Sequence, residues 1–508
     1  MQKQKQITAR GVVRNTFFNL LTAIFAKIGG LIFTIIAARM LLPELFGIYS
    51  IALTVVLTIC TFTDLGINST LIRYLADSLK KKSKKLEVEA RSRISFLFKL
   101  KIIVTAIVAI ALFLLSETIS VYVFNKPLLE VPLKIGALYL LLASLQGFLN
   151  SIFYALQKVK YTTISEIIFQ VGRIGLVLIL LYLSKTAESV FTALSFGLFL
   201  SFLFLYGIII KKYSFLLQGE KKELDKNEKS KLLSFFGWLT ISSISLVFFM
   251  HVDTFMLGMF MPAEFAGYYN SLISFVSAAV AIVSFGAVLL PVFTQLEKGR
   301  LESGFKKAVK YTLFIAVPAT VLLAFFSVPA VEIIFGKAYV PDQYKTSLII
   351  TSVLLSLLIV ENALTSIFST LFQAREKPKI PSLLVLFSTI SNIILNYLFL
   401  KIGLSISLEF GLIAVALATA IVRYSNLVIL AILTKKELNI KSGWSMLIKP
   451  VIGSIVLIVF LLIFNLLFKT SWITVIIALV LGVIVYMGIM FLIKGITKED
   501  INTIKSLK

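Results

Sequence analysis

The chain has few of the side chains on which most catalytic and metal sites depend. Its 508 residues include one histidine, one cysteine, and only 25 acidic residues against 50 Lys and Arg. A single histidine, His251, excludes a His-rich metal site and argues against a catalytic triad. A lone cysteine, Cys60, cannot form an internal disulfide and is expected to be an apolar filler within a helix. We therefore expect no metal, no cofactor and no catalytic residue.

Hydrophobic sequence is what the chain has in abundance. Hydrophobic residues make up 58% of it, and the mean hydropathy is +0.97. A helix that spans a bilayer needs about 20 mostly apolar residues, and runs rich in Leu, Ile and Phe without alternation favour helices over a β-barrel. The composition predicts an all-α integral membrane protein with about 14 transmembrane helices, near residues 15–38, 47–67, 94–115, 133–156, 162–183, 187–210, 233–257, 267–292, 309–330, 346–371, 380–400, 410–433, 447–468 and 472–493. The first run is too long for a signal-peptide core and should remain as the first helix.

The positive charge is distributed unevenly between the loops that join these runs. If both termini are cytoplasmic, 38 of the 50 Lys and Arg lie on the cytoplasmic side, eight lie on the opposite side, and four lie inside helices. This asymmetry is what the positive-inside rule predicts for a multi-pass protein of the cytoplasmic membrane. The net charge of +25 then indicates contact with membrane lipids rather than with nucleic acid.

A short phrase occurs twice and indicates an internal duplication. Residues Leu41–Tyr49 return, slightly stretched, as Phe260–Tyr269, with an offset of 220 between their glycines at 47 and 267. A second echo joins Ala155–Lys160 to Phe372–Lys377 at an offset of 216 (373 − 157). Matching offsets predict a duplicated unit. We expect an N-terminal lobe at 1–229 with spans 1–6, a parallel C-terminal lobe at 230–440 with spans 7–12, and two extra helices with a cytoplasmic tail at 441–508.

Charged side chains inside the apolar runs are candidates for function, because a charge at mid-bilayer costs about 2.5–3.5 kcal/mol. Lys27 and Arg173 each lie about 13 residues into their runs, so we expect both about 20 Å deep and at one level. They are our candidates for facing a substrate, together with Arg73, whose alternative is to snorkel to lipid headgroups. Glu166, Gln170 and Arg173 form one polar stripe, in which Glu166 and Arg173 alternatively pair with each other or with a neighbouring helix.

Amide and phenol groups form two further polar stripes. Gln146, Asn150 and Tyr154 recur at i, i+4 and i+8 on the fourth run, a face suited to binding sugar hydroxyls. Asn392 and Asn396 form a shorter stripe on the eleventh run. The alternative for all of these side chains is hydrogen bonding between helices, worth under about 2 kcal/mol each.

The remaining candidates concern coupling, bending and an ion pair. Asp253 in the seventh run is a candidate site for a coupling ion, with packing against a backbone donor as its alternative. Gly29–Gly30 are hinge candidates, although glycine also serves close helix contact. Glu361 and Arg423 each lie about ten residues from the cytoplasmic ends of their runs, and we expect them to form a structural salt bridge.

Several phrases together resemble a known family. The segments Leu42–Tyr49, Asp64–Ile67, Val252–Gly258, Gly267–Tyr269 and Phe335–Tyr339 resemble the polysaccharide biosynthesis flippases. These are the Wzx-like branch of the multidrug/oligosaccharidyl-lipid/polysaccharide (MOP) exporter superfamily, and the resemblance covers almost the whole chain. It implies a MATE/MOP-like fold and the movement of a polyprenyl-pyrophosphate-linked oligosaccharide from the cytoplasmic to the outer leaflet. We expect this movement to occur by alternating access between the lobes, and with such a substrate Lys27, Arg173 and Arg73 become candidates for binding the pyrophosphate.

The resemblance also implies partners, and other functions remain open. Expected partners are the lipid-linked oligosaccharide and membrane lipids, with a polysaccharide polymerase or glycosyltransferases as further candidates. The first alternative function is a cation-coupled multidrug exporter, which favours an acidic cavity. A membrane polymerase or glycosyltransferase partner is disfavoured, because the predicted outer loops are no longer than roughly twenty residues and carry no catalytic cluster. A scaffold that recruits envelope-synthesis enzymes is the last alternative.

Overall fold

The protein is helical throughout the parts that the computed structural model describes, which are residues 2–78, 84–220, 222–234, 236–284, 286–441, 443–468 and 471–495. These ranges contain no strand, and thirteen of their helices are long and apolar enough to cross a membrane. The protein is therefore an all-α, multi-pass membrane protein, as the sequence predicted. The predicted tail beyond Gly495 lies outside the described residues.

All fourteen predicted runs coincide with helices, and the first two share one. The helix segment Arg14–Thr61 contains both runs, divided at Leu42, where the backbone takes φ 64° and ψ 169°. Pro43 follows directly, and a proline disfavours the helical conformation of the residue before it. The chain therefore kinks within the first copy of the repeated phrase and then resumes as a helix.

Contacts between Cα atoms divide the chain into two compact units, unit 1 from Met1 to Gly267 and unit 2 from Tyr268 to Lys508. The buried core of unit 1 includes Leu71, Phe148 and Leu205. Its helices are α1 (Gln2–Thr61), α2 (Ile67–Ser78), α3 (Lys84–Thr118), α4 (Glu130–Ala155), α5 (Lys160–Leu183), α6 (Ala187–Tyr213), α7 (Lys226–Ser234) and α8 (Phe236–Phe260).

Unit 2 has a core of its own, which includes Phe305, Phe368 and Leu427. Helix α9 (Ala263–Val283) begins in the last residues of unit 1 and continues into unit 2. The other helices of unit 2 are α10 (Gly286–Gln295), α11 (Lys298–Ile334), α12 (Lys345–Ala374), α13 (Lys379–Ile406), α14 (Leu408–Leu438), α15 (Ile448–Leu467) and α16 (Trp472–Leu492).

Helices α15 and α16, which lie outside the repeat, dock on α11. The Tyr486 hydroxyl of α16 donates a hydrogen bond to the Phe314 carbonyl of α11 at 3.0 Å. A Cβ atom placed on Gly453 of α15 would lie 3.0 Å from the Tyr486 ring, so the glycine lets the two helices approach. Leu457, Leu461 and other apolar side chains complete a third buried cluster at this junction.

The two copies of the repeated phrase contact each other through their glycines. A Cβ atom on Gly47 would overlap the backbone carbonyl oxygen of Ala263, and a Cβ atom on Gly267 would overlap that of Pro43. The two contacts are equivalent, because Pro43 corresponds to Ala263 and Gly47 to Gly267 at the offset of 220 (263 − 43 and 267 − 47). We call this reciprocal contact the glycine clamp. Close approach of backbones, rather than a turn, is what requires a glycine at both positions.

The second echo also reflects the duplication, with a corrected alignment. Helices α4 and α12 end in the same way, with Gln157 at φ 55° and Glu376 at φ 57°. In both, the next amide donates to a carbonyl five residues back, Lys158 to Phe153 and Lys377 to Phe372, each at 2.9 Å. This is a Schellman cap. The structural offset is thus 219 (376 − 157), and the offset of 216, which matched two glutamines, was wrong by three residues.

Candidate functional site

Helices α1 and α5 of unit 1 run side by side in constant register. The hydroxyl oxygens of Thr22 and Thr163 lie 2.8 Å apart. Seven residues farther along both helices, a Cβ atom on Gly29 would overlap the side chain of Gln170. The offset is 141 in both contacts (163 − 22 and 170 − 29), so the helices are parallel. Gly29 therefore makes room for a polar side chain of α5, and α1 continues as a helix through it.

The polar stripe predicted on α5 is a continuous chain of hydrogen bonds. The side-chain amide of Gln170 donates to Glu166 Oε1 at 2.5 Å. Its carbonyl oxygen accepts from Arg173 Nε at 2.9 Å and from Nη2 at 2.5 Å. Glu166 and Arg173 are thus linked through Gln170 rather than by a direct salt bridge among the ion pairs of the described residues. The amide fixes the direction in which the guanidinium points.

Aromatic rings hold the Arg173 guanidinium from two elements. The rings of Phe33 on α1 and Phe169 on α5 each have their centroids 4.6 Å from its central carbon, which is cation–π distance. Arg173 as a whole is half-buried.

Glycines on both neighbouring helices bring the backbones close to Arg173. A Cβ atom on Gly30 of α1 would lie 3.6 Å from Arg173 Nη2. On α6, a Cβ atom on Gly197 would lie 3.0 Å from the Cβ of Arg173 and 2.8 Å from the Phe169 carbonyl oxygen. The hinge candidates Gly29–Gly30 therefore have a close-contact role in this conformation, and hinge bending remains a prediction.

Lys27 does not lie at the level of Arg173. With the register of 141, Lys27 is level with Ile168, five residues before Arg173, which is about 7.5 Å along the helix axis. The expectation of a shared level was wrong because it counted residues from the start of each apolar run. The first run begins seven residues before the Thr22–Thr163 contact, whereas the fifth begins only one residue before it. Lys27 is exposed and makes no hydrogen bond or ion pair among the described residues. Arg73, the third predicted cation, is exposed on α2, 5.9 Å from the Tyr74 ring.

The three sugar-binding candidates on α4 have different surroundings. The amide of Gln146 donates to the Ser201 hydroxyl at 3.0 Å, and Ser165 and Ser201 share a hydrogen bond at 2.5 Å. Gln146 is therefore used in contacts between α4, α5 and α6. Asn150 Oδ1 is buried and has no hydrogen-bond partner among the described residues, and Tyr154 is half-buried. Asn150 and Tyr154 remain the better placed of the three for a ligand.

In unit 2, the predicted ion pair is present. Arg423 Nη1 lies 3.7 Å from Glu361 Oε2, and both side chains are largely buried. Thr365 donates to the other carboxylate oxygen of Glu361 at 2.8 Å. The amide stripe of α13 binds α14, since Thr419 donates to Asn392 Oδ1 at 3.2 Å.

Asp253, the coupling-ion candidate, is half-buried on α8. The described residues contain no group of three or more His, Cys, Asp or Glu side chains that could hold a metal ion.

Sequence reasoning missed the buried lysine of α3. Lys101 on α3 is 1% exposed, and its ammonium donates to the Thr63 carbonyl at 3.0 Å and lies 3.4 Å from Asp64 Oδ1. The break between α1 and α2 contains both partners, with Leu65 and Gly66 at positive φ. The signal available was a lysine seven residues into an apolar run. Lys101 binds the carbonyl that this break frees and is therefore structural.

The comparison with known families is decisive about membership. A family model described as polysaccharide biosynthesis protein matches residues 12–297, which is more than half of the chain. The chain belongs to the polysaccharide biosynthesis protein family. The matched range includes Lys27, Arg173 and the residues that surround Arg173, together with both copies of the repeated phrase. The resemblance noted from the sequence is thereby confirmed.

Two archaeal proteins are similar to this member of the polysaccharide biosynthesis protein family. The probable low-salt glycan biosynthesis flippase Agl15 of Haloferax volcanii is 24% identical over 237 residues, 45% of this chain and 46% of its own length. The uncharacterized membrane protein MJ1068 of Methanocaldococcus jannaschii is 23% identical over 318 residues, 59% of this chain and 62% of its own length. The chain thus spans between about half and three fifths of these relatives.

Solved structures show the fold that this family member adopts. An inward closed conformation of the lipid II flippase MurJ matches with a TM-score of 0.72 at 19% identity, covering 94% of this chain and 98% of MurJ. An inward-facing multidrug resistance MATE transporter of the MOP superfamily matches with a TM-score of 0.62 at 14% identity, covering 82% and 95%. The predicted MATE/MOP-like architecture is therefore confirmed.

Proposed function

We propose that the protein is a flippase that moves a polyprenyl-pyrophosphate-linked oligosaccharide from the cytoplasmic to the outer leaflet by alternating access. The observation that carries the proposal is the half-buried residue Arg173, whose guanidinium is held in place inside unit 1 by Gln170 and two rings. Membership of the polysaccharide biosynthesis protein family supports it. The protein is a transporter rather than an enzyme in this proposal, with lobes at 1–229 and 230–440 and both termini cytoplasmic.

Arg173 and Lys27 suit the two phosphates of such a headgroup. A guanidinium binds a phosphate through two parallel N–H donors, whereas a lysine ammonium acts as a point charge. Lys27 is exposed, and a lysine side chain is long enough to extend over much of the roughly 7.5 Å between the two levels. With Glu166 beside them the three groups carry a net charge of +1, which favours an anionic ligand over the cationic drugs of a multidrug exporter.

The membrane potential supplies a driving force for outward movement. Moving one charge across the membrane potential is worth about 2.3 kcal/mol per 100 mV. An inside-negative potential of about 100 mV therefore favours the outward movement of a headgroup with two negative charges by about 4.6 kcal/mol. The polyprenyl tail stays in the lipid throughout. Asn150 and Tyr154 on α4 are our proposed contacts to the sugars, and Asp253 is our proposed site for a coupling ion.

Charge removal tests the proposal in cells. In a strain that depends on this protein for surface polysaccharide, Arg173→Gln and Lys27→Gln should each lower export about ten- to a hundredfold, because a hydrogen bond to a charged group is worth about 1.5–3 kcal/mol. Arg39→Gln and Lys211→Gln are matched controls at exposed positions. Normal export from the double variant Lys27→Gln/Arg173→Gln would refute the pyrophosphate site.

A further inference from the structure

A basic pocket lies at the start of α11 in unit 2, away from the proposed flippase site. Lys306, Lys307 and Lys310 line this cavity of about 440 Å³, together with Glu302 and Met446. The Lys306 ammonium lies 2.6 Å from the Glu302 carboxylate. Three lysines and one carboxylate give the pocket an excess of two positive charges. None of these four residues belongs to the proposed flippase site around Arg173.

An apolar groove adjoins the basic pocket on the same face of α11. The groove has a volume of about 330 Å³, and its walls include Val317 and Val321 of α11, with Leu447 and Val451 from the α15 side. Lys306, Lys310, Val317 and Val321 follow helical spacing, so they lie within one narrow stripe of α11. The two cavities meet at neighbouring residues, since Met446 lines the pocket and Leu447 lines the groove.

The distance between the two cavities matches the dimensions of a lipid. From Lys310 to Val317 the rise along α11 is about 10 Å. The polar interfacial layer of a bilayer is roughly 5–8 Å thick on each side, and the flexible stem of a lysine covers the remainder. A phosphate among the lysines therefore places the start of an acyl chain at the entrance of the groove.

One unpartnered polar atom lies in the wall of the apolar groove. Ser454 is 3% exposed, and its Oγ has no hydrogen-bond partner among the described residues. The neighbouring polar groups of the wall are satisfied, because Thr320 donates to the Ala316 carbonyl at 2.9 Å and Tyr424 donates to the Leu357 carbonyl at 2.8 Å. A buried hydroxyl left without a partner is costly, and an ester oxygen of a lipid would satisfy it.

We propose that the lysine pocket and the adjoining groove bind one anionic phospholipid. Its phosphate lies among Lys306, Lys307 and Lys310, and one acyl chain lies against Val317 and Val321 with its ester near Ser454. Basic pockets between membrane helices are known binding sites for phosphorylated headgroups. Because the groove lies between α11, α12, α14 and α15, the bound lipid fills the gap between the repeat and the added helix α15.

The test compares lipids that remain bound to the purified full-length protein. The protein is reconstituted in nanodiscs of phosphatidylcholine with a minor fraction of phosphatidylglycerol, extracted, and analysed for bound lipid by native mass spectrometry. The wild type should retain one phosphatidylglycerol. Lys306→Gln/Lys307→Gln/Lys310→Gln should bind it about a hundredfold more weakly, from about 1 kcal/mol per lysine. The control Lys401→Gln/Lys435→Gln/Lys436→Gln removes the same charge from exposed positions and should bind it normally.

A second variant keeps the experiment decisive if the triple variant does not fold. Val317→Trp leaves all three lysines in place and fills the groove, so it should also lose the bound phosphatidylglycerol. Retention of the lipid by both test variants would overturn the proposal, as would equal loss in the control. In parallel nanodiscs that also contain a polyprenyl phosphate, preferential retention of that lipid over phosphatidylglycerol by the wild type would assign the groove to a substrate tail and would also overturn the proposal.

Discussion

The glycine clamp gives a prediction that can be worked from atomic contacts. Gly47→Ala would drive a methyl group into the Ala263 carbonyl oxygen, and Gly267→Ala would drive one into the Pro43 carbonyl oxygen. Both obstacles are backbone atoms, which cannot rotate away as a side chain can. We take the upper end of the usual overpacking cost, about 3 kcal/mol, and subtract about 1 kcal/mol for the higher helix propensity of alanine. Each substitution should therefore destabilise the protein by about 2 kcal/mol.

The double variant distinguishes one shared contact from two independent ones. A single methyl group already separates the two segments, so the second methyl group meets a gap that is already open. We expect a loss of about 2–3 kcal/mol for Gly47→Ala/Gly267→Ala, less than the 4 kcal/mol of an additive pair. Because the contacts are equivalent under the repeat, the two single variants should also have similar effects.

Thermal unfolding of the purified protein in detergent measures these effects. A destabilisation of about 2 kcal/mol corresponds to a fall of about 4–8 °C in the apparent Tm of a folding unit of about 150–250 residues. The control Gly207→Ala on α6 adds a methyl group that meets nothing within 4 Å, so its apparent Tm should stay level or rise. The reciprocal contact would be refuted if the single variants had the same apparent Tm as Gly207→Ala. It would also be refuted if the destabilisation of the double variant equalled the sum of the two single destabilisations.

Two further predictions concern the ion pair and the membrane potential. Glu361→Gln should lower the apparent Tm strongly, by the equivalent of about 3–5 kcal/mol, because it leaves Arg423 buried without its carboxylate. Glu361→Gln/Arg423→Leu should recover most of this loss. An apparent Tm of the single variant equal to that of the wild type would contradict the prediction. Collapse of an imposed potential with an ionophore should slow outward transfer of a pyrophosphate-linked oligosaccharide in proteoliposomes, whereas an unchanged rate would show that the headgroup charge does not drive the movement.

The sequence predicts the fold well because each spanning helix must be apolar over its own length, whatever its neighbours are. The apolar runs therefore appear residue by residue in the sequence, whereas the kink at Leu42 that joins the first two runs is seen only in the structure. The duplicated phrase likewise survives in sequence, because a backbone carbonyl opposite Gly47 or Gly267 tolerates no side chain. A structural feature that several residue types can adopt leaves a less conspicuous pattern in the sequence. The α4 and α12 caps fix a backbone shape that Gln157 and Glu376 both adopt, so matching residue letters gave the wrong offset.

The site is only partly predictable, because its geometry depends on the register between helices. Spacing along α5 predicts that Glu166, Gln170 and Arg173 share a face, and they do. It does not predict that Gln170 bridges the two charges. Counting from the ends of the runs gave Lys27 and Arg173 one level, whereas the α1–α5 contact separates them by five residues. The partners of Lys101 lie in a break of another element, which no periodicity reveals.

Transfer of a defined lipid across a vesicle membrane tests the central claim most directly. Proteoliposomes carry either a fluorescent polyprenyl-pyrophosphate oligosaccharide or the same glycan on an uncharged polyprenol, and a quencher added outside reports movement between leaflets. The wild type should transfer the pyrophosphate lipid and not the uncharged one. Arg173→Gln should be at least about tenfold slower, from the loss of a charged hydrogen bond, while Arg39→Gln should match the wild type. Equal transfer of both lipids, or wild-type rates in Arg173→Gln, would contradict the account.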